Sequence, residues 1–152
     1  MKILIVEDDK YKSDAIVECL NDYFEKPKIF KSESLASGLF ALDENEGIEL
    51  IILDMSMPSF DISDKDPMGG TPESYAGEDF LSHMSLLDMS IPVIVVTQFD
   101  NFDSEGKEVS LSKLTKRLFE DHSQVFKGSI YFKVSSSAWK NELKKLLKKV
   151  VK

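Results

Sequence analysis

Asp54 closes an almost wholly apolar run, Leu50-Ile51-Ile52-Leu53, and the acidic cluster Glu7-Asp8-Asp9 closes another, Ile3-Leu4-Ile5-Val6. Two more runs of this kind carry complementary groups: Val93-Ile94-Val95-Val96 is followed by Thr97, and Ser129-Ile130-Tyr131-Phe132-Lys133-Val134 holds Lys133 near its end. Hard carboxylates such as Asp8, Asp9 and Asp54, gathered in one crevice, suit a hard divalent cation like Mg2+, which takes oxygen ligands and retains waters. Without a cation they repel one another. An Asp carboxylate is also a nucleophile toward phosphorus, giving an aspartyl-phosphate, once the charge on the transferring group is neutralised. A Lys ammonium at Lys133 supplies a point charge for one phosphoryl oxygen, and the Thr97 hydroxyl a hydrogen bond for another.

These groups meet only if the runs are neighbouring strands. Short runs of aliphatic and β-branched residues with polar punctuation read as strands buried on both faces of a parallel sheet, and ligand sites in such sheets lie beyond the carboxyl ends of the strands. Between the first two runs, Ala15, Ile16, Cys19, Leu20 and Phe24 recur at helical spacing from about Lys10 to Phe24, where Pro27 ends the segment. Lys28 to Lys31 reads as a short strand, and Ser34 is placed to cap a helix with Leu35, Leu39, Phe40 and Leu42 on its apolar face. The opening half therefore alternates strand and helix, the pattern of a parallel α/β sheet with right-handed crossovers. Further on, Phe80, Leu81, Met84 and Leu87 mark a third helix, Leu111, Leu114, Leu118 and Phe119 a fourth, and Trp139, Leu143, Leu146, Leu147 and Val150 a last one, opened by Ser135 to Ser137. Trp139 is expected in the core. Two stretches lack periodicity. Residues 59–76 are rich in Pro, Gly, Ser and Asp, and a second polar loop runs from Gln98 to about Glu108 within an extended region, 98–128. Connections above about 12 to 15 residues are uncommon in compact domains and tend to be functional.

The 152 residues, 42% of them hydrophobic, fit a single domain, 1–152. The lone Cys19 excludes an internal disulfide, and the first apolar run is too short for a signal peptide. No segment approaches the roughly 20 apolar residues of a membrane helix, so a cytoplasmic protein with no membrane partner is expected. Net charge is −8 but uneven: residues 1–106 carry 23 acids and 7 bases, and residues 107–152 carry 4 acids and 12 bases. An overall acidic chain is a poor nucleic-acid binder, and the lysines between Lys140 and Lys152 read as a solvated helix face. Asp61, Asp64 and Asp66 lack the Gly and terminal Glu of a calcium loop. His83 and His122 have no partner at ligand spacing and read as ordinary helix residues.

Together, Ile3-Leu4-Ile5-Val6-Glu7-Asp8-Asp9, Leu53-Asp54-Met55-Ser56-Met57-Pro58, Val93-Ile94-Val95-Val96-Thr97 and Lys133 resemble the receiver domain of two-component response regulators. The resemblance covers essentially the whole chain. It implies a flavodoxin-like (β/α)5 fold, a doubly wound five-stranded parallel sheet. It implies that Asp54 accepts a phosphoryl group from a histidine kinase or histidine phosphotransfer protein, and that Asp8, Asp9 and Asp54 hold Mg2+ with the main-chain carbonyl of Ser56. Thr97 and Lys133 would sense the phosphoryl group, and a separate effector protein would read the switched surface. Such a chain is not an enzyme beyond its own phosphotransfer and autodephosphorylation.

Departures from the family pattern accompany the likeness. Eighteen residues, 59–76, separate Met57-Pro58 from Gly77 where receivers have a few. Val134 follows Lys133 where a Pro is usual, Ile130 stands at the position of the switch aromatic with Tyr131 one place late, and Gln98 replaces a small residue after Thr97. They motivate an alternative: a pseudo-receiver that binds partners without phosphorylation. A phosphatase of the haloacid dehalogenase type is disfavoured, since its second Asp would fall at Ser56.

Overall fold

The computed structural model describes residues 1–58, 75–98, 101–104 and 107–150, of which 101–104, 107 and 108 are described as backbone only. Most of the 59–76 loop, with Asp61, Asp64 and Asp66, lies outside the described residues.

Five strands, β1 (Lys2–Val6), β2 (Lys28–Ser32), β3 (Leu50–Leu53), β4 (Val93–Thr97) and β7 (Phe126–Tyr131), form one sheet in the order β2-β1-β3-β4-β7. Every pairing in it is parallel. The α/β doubly wound architecture expected from the sequence is therefore the one observed. Helices α1 (Lys10–Tyr23), α2 (Leu35–Glu44), α3 (Ala76–Leu86), α4 (Leu111–Asp121) and α5 (Ala138–Val150) complete the alternation. Alternation along the strands divides the apolar side chains between two faces. Leu4, Val6, Ile51, Leu53, Val93 and Val95 pack with Phe80, Leu81, Met84, Leu114 and Leu118 of α3 and α4. Ile3, Ile5, Leu50, Ile52, Ile94 and Val96 pack on the other face with Ile16, Cys19 and Leu20 of α1 and Trp139, Leu143 and Leu147 of α5. Trp139 sits against Phe132, ring centroids 4.9 Å apart, as expected of a core residue.

Local chemistry starts the helices where the sequence suggests. The Ser34 hydroxyl accepts the Ser37 N–H while the Ser37 hydroxyl accepts the Ser34 N–H, a reciprocal cap on α2. Ser110 caps α4 through the Lys113 N–H. Phe40, expected on the apolar face of α2, is instead 66% exposed, because Leu42 and Gly38 take the buried positions.

The strand assignments need two corrections. The polar stretch after Gln98 holds an antiparallel hairpin, β5 (Asn101–Ser104) and β6 (Lys107–Ser110), in register Phe102 to Val109. Each strand has a single apolar residue, so the pairing shows in cross-strand register and not in a hydrophobic run. The last strand is also displaced: β7 begins at Phe126 and ends at Tyr131, three residues earlier at each end than the run Ser129 to Val134 suggests. Gly128, which looks like a separator, lies inside β7 with φ +154°, at the point where the register against β4 slips, Phe126 facing Val93 but Gly128 facing Ile94. Only glycine holds that backbone easily, and Leu146 of α5 closes over it.

Gly77, near the start of α3, shows how tightly the crossover is seated against the acidic strand end. Its N–H donates to the Met55 carbonyl at 2.9 Å, and a Cβ at this position would stand 2.6 Å from the Asp54 carbonyl oxygen and 2.9 Å from Met55 Cα. Both are main-chain atoms anchored by β3. Gly77→Ala is expected to destabilise the fold by about 1–3 kcal/mol through this overlap, measured by urea denaturation; a change near zero contradicts the packing described.

Candidate functional site

The carboxyl ends of β1, β3 and β4 define a crevice whose walls follow from the pairing register. Val6 faces Leu53 and Leu53 faces Val95, so Glu7, Asp54 and the end of β4 emerge side by side. The Asp54 N–H donates to the Val6 carbonyl at 3.0 Å and the Glu7 N–H to the Ser32 carbonyl at 2.9 Å, which extends the ladder through both acidic residues. Asp54 and Glu7 are each 4% exposed, and Thr97 is fully buried at the end of β4.

Glu7, Asp8 and Asp54 converge, each offering a carboxylate oxygen within 4.8 Å of the others. This set differs by one position from the Asp8, Asp9 and Asp54 that the sequence suggests. Asp9 instead caps α1, its Oδ1 accepting the Lys12 N–H at 3.0 Å. Glu7 in turn accepts the Asp9 N–H on Oε1 at 3.0 Å, which pins the β1–α1 connection from inside the site. Ser56 lies half-buried two residues beyond Asp54.

Among the described residues, the cation against Asp54 is Lys12. Its ammonium lies 3.1 Å from Asp54 Oδ1 and ion-pairs with Glu7 Oε2, and the side chain is 1% exposed. Lys133, by contrast, is exposed and lies two residues beyond the end of β7, on the connection to α5. Lys12 is absent from the residues that the sequence motifs single out, although the sequence carries a signal for it. It stands four residues before Ile16 and eight before Leu20, on the buried stripe of α1, where a lysine is out of place unless it has an acidic partner. Side chains of a helix tilt toward its N-terminus, so a first-turn lysine on that stripe reaches back to the strand ends.

Two buried carboxylates share this one ammonium. Burial raises the Glu7 carboxyl from its usual 4.5 to about 8, and the Asp54 charge pushes it the same way against the pull of Lys12. Burial likewise raises Asp54, opposed by Lys12 and by the hydrogen bond from the Met55 N–H to Oδ1 at 2.8 Å. With Asp8 beside them the pocket offers a cluster of hard oxygen donors, the donor chemistry that suits Mg2+ or Mn2+.

Tyr131 faces Thr97 across the β4–β7 ladder and is 42% exposed, while Ile130 is buried on the α1 and α5 face. The Phe132 N–H donates to the Thr97 carbonyl at 2.7 Å. On the opposite side, Arg117 of α4 forms paired bonds of 3.0 and 3.1 Å to the Glu78 carboxylate of α3 and covers the Tyr75 ring, which ties α3 to α4.

The fold is that of a response-regulator receiver: a parallel sheet in the order β2-β1-β3-β4-β7, with an acidic crevice at its carboxyl edge. The chain is 30% identical over 145 residues to the Detocs response regulatory protein DtcB of Enterobacter cloacae (strain JD6301), covering 94% of this chain and 95% of the relative. It is 33% identical over 116 residues to the sporulation initiation phosphotransferase F of Bacillus subtilis (strain 168), 75% of this chain and 77% of that one. Among solved structures, the Mn(2+)-bound form of response regulator Rcp1 superposes with a TM-score of 0.62 at 17% identity, over 96% of this chain and 91% of that one. No family model matches the chain. The chain belongs to the response-regulator receiver family of two-component signalling. Among the described residues, no helix is long and apolar enough to cross a membrane.

A carboxyl that holds its proton more tightly in the folded chain loses stability for the fold as pH rises from its unfolded to its folded value. For Glu7 that window runs from about 4.5 to about 8. In chelator-treated protein, Glu7→Gln is expected to reduce the fall in denaturation midpoint across this window; an identical fall in both proteins contradicts the assignment. Lys12→Met removes the ammonium that two buried carboxylates share and is expected to cost about 3 kcal/mol in the same metal-free conditions, while a loss below about 1 kcal/mol would show the pair to be solvated.

Proposed function

We propose that this receiver is a phosphoacceptor, with Asp54 taking a phosphoryl group from a histidine kinase or histidine phosphotransfer protein in a Mg2+-dependent step. The observation that carries the reading is the placement of Asp54 at the end of β3, buried beside Glu7 and Asp8 and next to the Thr97-bearing end of β4. In the transfer an Asp54 oxygen bonds to phosphorus as the phosphorus–nitrogen bond of the donor phosphohistidine breaks, and the imidazole leaves with the electron pair. Glu7, Asp8 and Asp54 would hold the cation, with the Ser56 carbonyl as a further ligand; bound, it would neutralise charge on the transferring group. Asp9 belongs to the helix cap in this reading, not to the ligand set.

Thr97 would donate to a phosphoryl oxygen, and Lys133 would pair with another once the β7–α5 connection closes on the site. Phosphorylation then biases a two-state equilibrium of the surface around α4 and β7, which a separate effector protein reads in the cytoplasm. The relatives named as a response regulatory protein and a phosphotransferase support this role. The acidic balance argues against direct nucleic-acid binding.

Incubation with Mg2+ and acetyl phosphate is expected to add one phosphoryl group per chain, seen by intact-mass measurement, and Asp54→Ala to abolish it. Absence of the adduct, together with partner binding indifferent to Asp54→Ala, would overturn the reading in favour of a phosphorylation-independent interaction module.

A further inference from the structure

Lys12 is the least expected part of the crevice, and it deepens the acceptor reading on which this inference rests. Three observations bear on it. It is fully buried, and its partners in the structure are carboxylates of the group that would ligate a divalent cation: Glu7 Oε2 and Asp54 Oδ1, the latter at 3.1 Å. Its position is set from both sides, because Asp9 caps the first turn of α1 through the Lys12 N–H itself while Glu7 holds the Asp9 N–H. The ammonium also hangs from a helix whose buried apolar residues, Ile16, Cys19 and Leu20, are fastened into the core, so it cannot leave by moving the helix.

A lysine ammonium and a hydrated divalent cation compete for the same carboxylate oxygens, since like charges at such separation repel strongly in a buried pocket. We infer that Lys12 is a tethered counter-cation of the acceptor site: it holds Glu7 and Asp54 together in the metal-free chain and must give up Asp54 for a divalent cation to bind. The metal-free pocket is thereby kept closed and assembled, and its affinity for the ion is lowered. Asp8, exposed and outside the lysine's pairings, is the carboxylate left open to an incoming ion. Displacement costs little chain movement, because four methylenes let the ammonium swing away while the backbone of α1 stays in place.

The test is calorimetric titration of the full chain with Mn2+ alone, comparing the native protein with Lys12→Met and Lys12→Gln. The glutamine keeps a hydrogen-bond donor toward the carboxylates without the charge, so it serves where the methionine variant does not fold. Both variants are expected to bind Mn2+ at least about tenfold more tightly than the native chain, a gain lost when Asp54→Asn is added. Affinity that is unchanged or weaker in the folded variants, or a gain that survives Asp54→Asn, would overturn the inference. A chain that shows the gain yet takes no phosphoryl group contradicts the acceptor reading alone. A chain phosphorylated on Asp54 whose Mn2+ affinity ignores Lys12 contradicts this inference alone.

Discussion

The ammonium of Lys12, between the carboxylates of Glu7 and Asp54, is the contact on which the carboxyl edge of the sheet depends. Both carboxylates are nearly inaccessible to water, and each is held there by the strand it ends. Unpaired, two buried carboxylates that close would force one to hold a proton at neutral pH or the strand ends to part. Lys12 opposes that conflict, yet burial still raises both the Glu7 and the Asp54 carboxyls, so the lysine offsets only part of the cost of charging them. Carboxylates whose charged form burial disfavours are ones that a divalent cation would stabilise.

The rest of the fold serves to deliver these groups to one place. Parallel pairing of β1, β3 and β4 brings three strand ends into line, and burial of both sheet faces leaves no freedom for a register slip that would separate them. Helix α1 matters twice, through the apolar stripe that fixes it to the sheet and through the first turn that lends Lys12 to the site. Helix α3 is pressed onto the Asp54 main chain at Gly77, so the end of β3 is clamped by a helix at its backbone and met by a lysine at its side chain.

The sheet is legible in the sequence because its central strands are continuous apolar runs, which double burial explains. Asp54, Asp8 and Thr97 follow from being among the first polar groups after such runs. Other parts of the site have weaker local signatures. In a row of three acids the spacing alone does not say which points inward, and the structure divides them into a ligand candidate on each of Glu7 and Asp8 and a helix cap on Asp9. Lys12 looks like one of many surface lysines until its helical phase with Ile16 and Leu20 is counted. Lys133 falls outside the last strand because Gly128, which resembles a boundary in the sequence, is the residue that permits a bulge within it. The hairpin spanning 101–110 is hidden by the polar composition of its strands.

Whether the metal-free crevice is held by its own lysine is tested most directly by crystals of the chain grown with chelator and then soaked in Mg2+. Lys12 Nζ is expected within hydrogen-bond distance of Asp54 Oδ1 in the first state, near 3.1 Å, and withdrawn from Asp54 in the second with an ion among Glu7, Asp8 and Asp54. A Lys12 side chain extended into solvent without metal, or unmoved beside Asp54 with the ion bound, would contradict it.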